Sequence, residues 1–210
     1  MLSHGWCMTL AALGAGCLVS TAAPATTIGF GGLAAGTSFT GYTQDGFTVA
    51  PVSGVWSVSG YGAPGPSIVF VDNQGAGGQA SSVAVTRAGE AFTFGGIDLY
   101  SSVTPIPYTL LGTLGGRTVF SASGTVPNTF GNFATVPSTD ATTAIERLEV
   151  TLTTVRLLSA VGSNPYGIDN IVVSAAAAQV PEAPSRWLLA SALAVLGGAR
   201  PGWALRRSLG

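Results

Sequence analysis

Any chemistry in this chain would have to come from carboxylates and aromatic rings. Both cysteines, Cys7 and Cys17, and the sole histidine, His4, fall within the first 25 residues, a stretch that reads as a leader. The rest of the chain has no thiol and no imidazole, which excludes disulfides, thiolate or imidazole nucleophiles and ordinary zinc sites there. Ser-His-Asp catalysis is excluded with them, and no Gly-x-Ser-x-Gly elbow occurs. The acids left for a glycosidase-type carboxylate pair are Glu90, Asp98, Glu146 and Asp169. Nothing in their spacing favours a pair, so the chain is not expected to be an enzyme. The aromatic candidates for stacking on sugar faces are Trp56, Tyr61, Tyr100 and Tyr166. Trp56 lies in an apolar run and is expected in the core. Tyr61 and Tyr166 lie among Gly and Pro and are expected in exposed loops.

The elements that must position these residues read as strands. Short β-branched and aromatic runs recur at 47–49, 55–58, 67–71, 83–85, 92–94, 108–110, 118–120 and 171–173, with Gly, Pro, Asn and Asp between them. Many short strands without intervening helices predict an all-β antiparallel sandwich of the jelly-roll type. Residues 144–158 also fit a helical face, but Leu148, Val150 and Leu152 alternating with Glu149, Thr151 and Thr153 fit a strand better. The glycine-rich stretch at 75–80 loosely matches a dinucleotide fingerprint. That fingerprint needs a helix next, and Ser81-Ser82-Val83-Ala84-Val85 reads as a strand, so a hairpin loop is expected.

Charge narrows the partners. Between residues 26 and 179 the chain has four arginines, no lysine and eight acids, a formal −4. That is the wrong sign for electrostatic binding to nucleic acid. The same span, rich in Gly, Ser, Thr and Val, is apolar enough to fold and long enough for one domain without staples. The expected division is a signal peptide at 1–25, a sandwich at 26–174, an alanine-rich linker at 175–179 and a tail at 180–210. The leader pairs an apolar stretch with a small-residue exit, at Ala23-Pro24-Ala25 or Thr21-Ala22-Ala23. The tail joins Val180, Pro181, Glu182, Pro184 and Ser185 to the apolar run 187–199 and then to Arg200, Arg206 and Arg207. Thirteen residues make roughly 20 Å of helix, short of the roughly 30 Å hydrocarbon core. Continuation to Leu205 with Arg200 snorkelling approaches a span, with the arginines on the cytoplasmic side.

This tail resembles the sorting signal of PEP-CTERM proteins, exported proteins of biofilm-forming Gram-negative bacteria, in which Val-Pro-Glu-Pro-Ser precedes a hydrophobic helix and an arginine cluster. Val180, Pro181, Glu182 and Ser185 match, and Ala183 pushes the second proline to Pro184. The resemblance implies export through the Sec translocon and transient inner-membrane anchoring by the C-terminal helix. It further implies processing by an exosortase-type enzyme and a destination at the cell surface or in an exopolysaccharide-rich matrix. A second resemblance rests on residues 27–30, 41–49, 92–99 and 166–171, which are similar to jelly-roll modules found ahead of such tails and to carbohydrate-binding sandwiches. It implies a structural calcium near Asp98, Asp169 and Asn170, although Gly31 and Gly32 stand where an acid is expected. The expected function is an exported structural protein of the matrix. The alternative is a glycan-binding module that uses Tyr61 and Tyr166, with or without calcium.

Overall fold

The computed structural model describes residues 24–61, 65–72, 78–127, 132–155 and 164–176. The signal helix, the sorting motif at 180–185 and the apolar run with Arg200, Arg206 and Arg207 lie outside the described residues.

Among the described residues twelve strands follow in order: β1 Ala25–Ile28, β2 Tyr42–Gln44, β3 Phe47–Ser53, β4 Trp56–Ser59, β5 Ser67–Asp72, β6 Ala80–Arg87, β7 Phe92–Ser101, β8 Ile106–Leu114, β9 Arg117–Val126, β10 Ala134–Pro137, β11 Arg147–Thr153 and β12 Asn164–Ala175. They form two six-stranded antiparallel sheets. The first has the order β10-β7-β12-β5-β4, with β1 beside the far half of β12. The second runs β2-β3-β6-β11-β8-β9. The chain repeatedly crosses from one sheet to the other, so neither sheet is a simple meander.

Alternation makes the sandwich. In β11, Leu148, Val150 and Leu152 are buried while Arg147, Glu149 and Thr151 face outward, the period of two that a half-buried strand requires. This settles 144–158 in favour of a strand over its central part. Inward residues of both sheets share one core, in which Phe47 meets Phe92 edge-on at 5.6 Å and Phe94 lies 5.9 Å from Phe120. Fully burying each such side chain stabilises the fold by about 1.5–3 kcal/mol. The strand expected after the 75–80 glycines is β6, so the dinucleotide fingerprint lacks its helix.

One irregularity interrupts this alternation on the first sheet. Phe92 and Phe94 face inward on β7, yet so do Ile97 and Leu99, so the parity of the strand changes at Gly95 and Gly96. On β12, Tyr166 and Ile168 give way to Ile171 and Val173 in the same manner, and the β7–β12 register shifts between Asp169 and Val173. A Cβ at Gly95 would sit 3.0 Å from Val172 Cγ1, and one at Gly96 would sit 3.3 Å from the Val136 carbonyl oxygen, so small residues let the strands slip. The bulge sets Asn170 at φ 45° and redirects it, as bulges do when they re-aim a side chain.

Candidate functional site

The outer face of the first sheet carries two adjacent rows of side chains. Tyr100 of β7 stands opposite Gly167 of β12, and because glycine has no side chain, Phe133 reaches over it: a Cβ there would come within 3.5 Å of Phe133 Cζ. Tyr61, just past β4, closes the group. Its ring lies 5.1 Å from Tyr100 and 6.1 Å from Phe133, near-parallel to the latter at 29°, and Tyr100 and Phe133 are 5.3 Å apart. Two serines paired across β4 and β5 pin the Tyr61 backbone: its N–H donates to Ser59 Oγ at 3.1 Å, and Ser67 Oγ donates to its carbonyl oxygen. Tyr61 is 38% exposed, and Tyr100 and Phe133 are half-buried.

The polar row lies two residues along the same strands, about 7 Å away at about 3.4 Å per residue. Asp98 is two positions before Tyr100, and Thr135 two after Phe133 and opposite Asp98. Thr135 Oγ1 donates to Asp98 Oδ1 at 2.6 Å, and Asn170 Nδ2 donates to Asp98 Oδ2 at 2.9 Å. Asp169, opposite Asp98 across β7–β12, is fully buried, and its Oδ1 accepts the Asn170 N–H at 2.9 Å. The bulge thus brings together Asp98, Asp169 and Asn170, the three residues singled out as a group in the sequence, while leaving Asp98 partly accessible beside the aromatic row.

Calcium does not fit this cluster as it stands. The ion takes about six to eight oxygens. Asn170 aims its NH2, a donor, at Asp98, and among the described residues no three acidic, cysteine or histidine side chains gather. Asp98 acts instead as a hydrogen-bond hub.

Tyr166 is not where the sequence suggested. It is fully buried, edge-on to Trp56 at 6.5 Å, 5.1 Å from Phe70, with its hydroxyl 3.0 Å from Ser81 Oγ. It cannot present a face to a sugar. Its Gly and Pro neighbours suggested a loop, but β12 starts at Asn164, and Pro165 sits just ahead of the pairing with β7, which begins at Tyr166. Trp56, expected in the core, is buried, and its indole N–H donates to the Ser53 carbonyl oxygen at 2.9 Å. Sequence reasoning missed Phe133 and Thr135. Their signal was the alternation Phe133-Ala134-Thr135-Val136, too short to stand out. Of the four carboxylates weighed for catalysis, Asp98 and Asp169 stand opposite each other on this face, whereas Glu146 accepts the Gly115 N–H at 3.0 Å and Glu90 pairs with Arg87 at 2.8 Å.

No family model matches the chain, and no curated protein matches it. Among solved structures it is similar to a carbohydrate-binding module in complex with β-1,4-galactotriose (10% identity, 62% of this chain and 89% of that one, TM-score 0.37). It is also similar to a mutant of a family 29 carbohydrate-binding module (15% identity, 77% and 99%, TM-score 0.39). A third is the enzymatically active domain of a tailspike protein from bacteriophage CBA120 (15% identity, TM-score 0.37), where the match covers 62% of this chain but only 19% of the other. Superpositions this loose carry no functional argument.

Proposed function

We propose that this chain is an exported, non-catalytic glycan-binding module of jelly-roll type, and that the Tyr61–Tyr100–Phe133 face is where it meets sugar. The single observation that carries the reading is three aromatic rings within 5.1–6.1 Å of one another on the outer face of the first sheet, next to a row of hydrogen-bonding groups. Sugar rings offer an apolar C–H face and a rim of hydroxyls. An aromatic row with Thr135, Asp98 and Asn170 alongside answers both. Export, and sorting through the PEP-CTERM-like tail by an exosortase-type enzyme to the surface or an exopolysaccharide matrix, completes the reading and rests on the two terminal segments of the sequence.

One experiment tests both halves. The protein is isolated from native culture medium, its intact mass is determined, and it is applied to a column of the exopolysaccharide from the same culture. The expected outcome is a form beginning near Thr26 and ending near 181–185 that the column retains. Tyr61→Ala and Phe133→Ala should each weaken retention about tenfold or more, as truncation of a binding hot spot does. A cytoplasmic protein with both ends intact removes export. Retention unchanged in both variants removes the aromatic face as the site.

A further inference from the structure

Among the described residues, the arginines lie on one of the two sheets. The described arginines, Arg87, Arg117 and Arg147, all belong to strands of the second sheet, β6, β9 and β11. Arg87 pairs with Glu90 at 2.8 Å and Arg147 with Glu149 at 3.0 Å. The first sheet has no arginine among its described residues, and the carboxyl groups beside its aromatic row are those of Asp98, which is partly accessible, and Asp169, which is fully buried opposite it. Aromatic faces attract cations through the ring quadrupole, and a carboxylate nearby adds a full opposite charge.

We infer that the ligand of this face is a glycan bearing primary ammonium groups, a partly N-deacetylated hexosamine polymer, with the sugar ring stacked on Tyr61, Tyr100 and Phe133 and the ammonium directed to Asp98. This rests on the glycan-binding reading and narrows it. The two hydrogen bonds to Asp98, one from Thr135 and one from Asn170, fix the carboxylate in place but use only part of its capacity, since a carboxylate offers about four acceptor sites. An ammonium group carries three donors and fits the remainder. A uronic acid or sulfated glycan meets the opposite arrangement, a like charge with no described cation on the sheet to offset it. A fully N-acetylated polymer stacks equally well but has no charge to offer Asp98.

The test uses the full-length chain and three oligosaccharides of equal length: a β-1,4-glucosamine oligomer, its fully N-acetylated counterpart and an oligogalacturonide, with binding measured by calorimetry. The glucosamine oligomer is expected to bind about tenfold more tightly than the acetylated one. That preference should shrink between about 50 mM and about 500 mM salt, as screening requires of a partly exposed pair. It should also fall as pH rises through the amine pKa of the free oligomer, a measurement that needs no variant. Asp98→Asn should abolish the preference, whatever it does to the acetylated oligomer's own affinity, with thermal melting confirming that the variant folds. Equal affinity for the two hexosamine oligomers, a preference insensitive to both pH and Asp98→Asn, or tightest binding of the galacturonide each overturns the ammonium assignment and leaves the glycan-binding reading standing. If none of the three binds and the culture's own polysaccharide is also not retained, the glycan-binding reading falls, and this inference with it.

Discussion

Strand β12 has an aromatic cluster on each of its two faces, and the clusters are built alike. Inside, Tyr166 groups with Phe70 and Trp56 at 5.1 and 6.5 Å. Outside, above the very next residue, Gly167, the rings of Tyr61, Tyr100 and Phe133 stand 5.1–6.1 Å apart. Ring spacing does not distinguish them. What does is the parity of each residue on its strand and what lies opposite: inward positions meet the second sheet, as Tyr166 meets Ser81 of β6, whereas among the described residues the outward ones meet no second sheet. An aromatic residue among glycines is therefore no guide to exposure. Its register is.

The sharpest way to break this comparison is to make the same truncation on both faces. Tyr166→Ala should cost about 3–5 kcal/mol in chemical denaturation, through lost burial and a cavity beside Trp56 and Phe70. Tyr166→Phe, which removes only Ser81's hydroxyl partner, should cost about 1–3 kcal/mol. Tyr61→Ala should stay within about 1 kcal/mol of the parent and act on glycan retention instead. If Tyr61→Ala destabilises as much as Tyr166→Ala, the outer cluster is a second core and not a binding face.

A subtler change sharpens the outer cluster. Gly167→Ala introduces a Cβ 3.1 Å from Val69 Cγ1, 3.2 Å from the Ile68 carbonyl oxygen and 3.5 Å from Phe133 Cζ. The backbone oxygen cannot retreat easily, so a loss of about 1–2 kcal/mol is expected as β12 shifts against β5 beneath Phe133, which itself meets the new methyl at ordinary contact distance. Retention on the glycan column should fall by less than in Phe133→Ala. A variant that binds as well as the parent would show that Phe133's seat over Gly167 is irrelevant to the ligand.

Much of the architecture was legible because it rests on period-two patterning. Leu148, Val150 and Leu152 in β11, and Phe47 and Val49 in β3, alternate cleanly with polar or small neighbours, and their strands lie where the pattern put them. The site was half legible. Asp98, Asp169 and Asn170 were pointed to by the resemblance to jelly-roll modules, but which way each points depends on the paired parity changes in β7 and β12. No local pattern announces those beyond Gly95-Gly96. Phe133 and Thr135 come from the four-residue edge strand β10 and its approach, and a strand that short is assigned to a face only by its partner, β7. Tyr166 failed for the converse reason: Pro165 and Gly167 imitate a turn within a strand that pairs with β5 over 164–168 and with β7 from Tyr166 onward.

The smallest expected effect lies where the chain leaves the sheet with the aromatic face and enters the other. Between β10 and β11, Asp140 closes a turn. Its Oδ1 accepts the N–H groups of Thr142 and Thr143, both at 3.1 Å, and the Thr142 hydroxyl at 2.9 Å, while Oδ2 accepts the Thr143 hydroxyl. The Thr143 hydroxyl first, then the Thr142 hydroxyl and N–H, hold this carboxyl below its ordinary value of 3.8. A carboxyl whose pKa is depressed by folding stabilises the folded state fully above its unfolded pKa and loses that contribution as pH falls through the folded value. Asp140→Ala should therefore lower the thermal midpoint slightly near neutral pH, and the gap from the parent should close as both are taken well below the carboxylate range. Glycan retention should not change, because this turn carries none of the aromatic or polar rows. A gap that persists in acid would mean that the turn depends on the shape of the side chain and not on its charge. A loss of retention would mean that the corner between the sheets, not the sheet face alone, sets the position of Phe133 and Thr135.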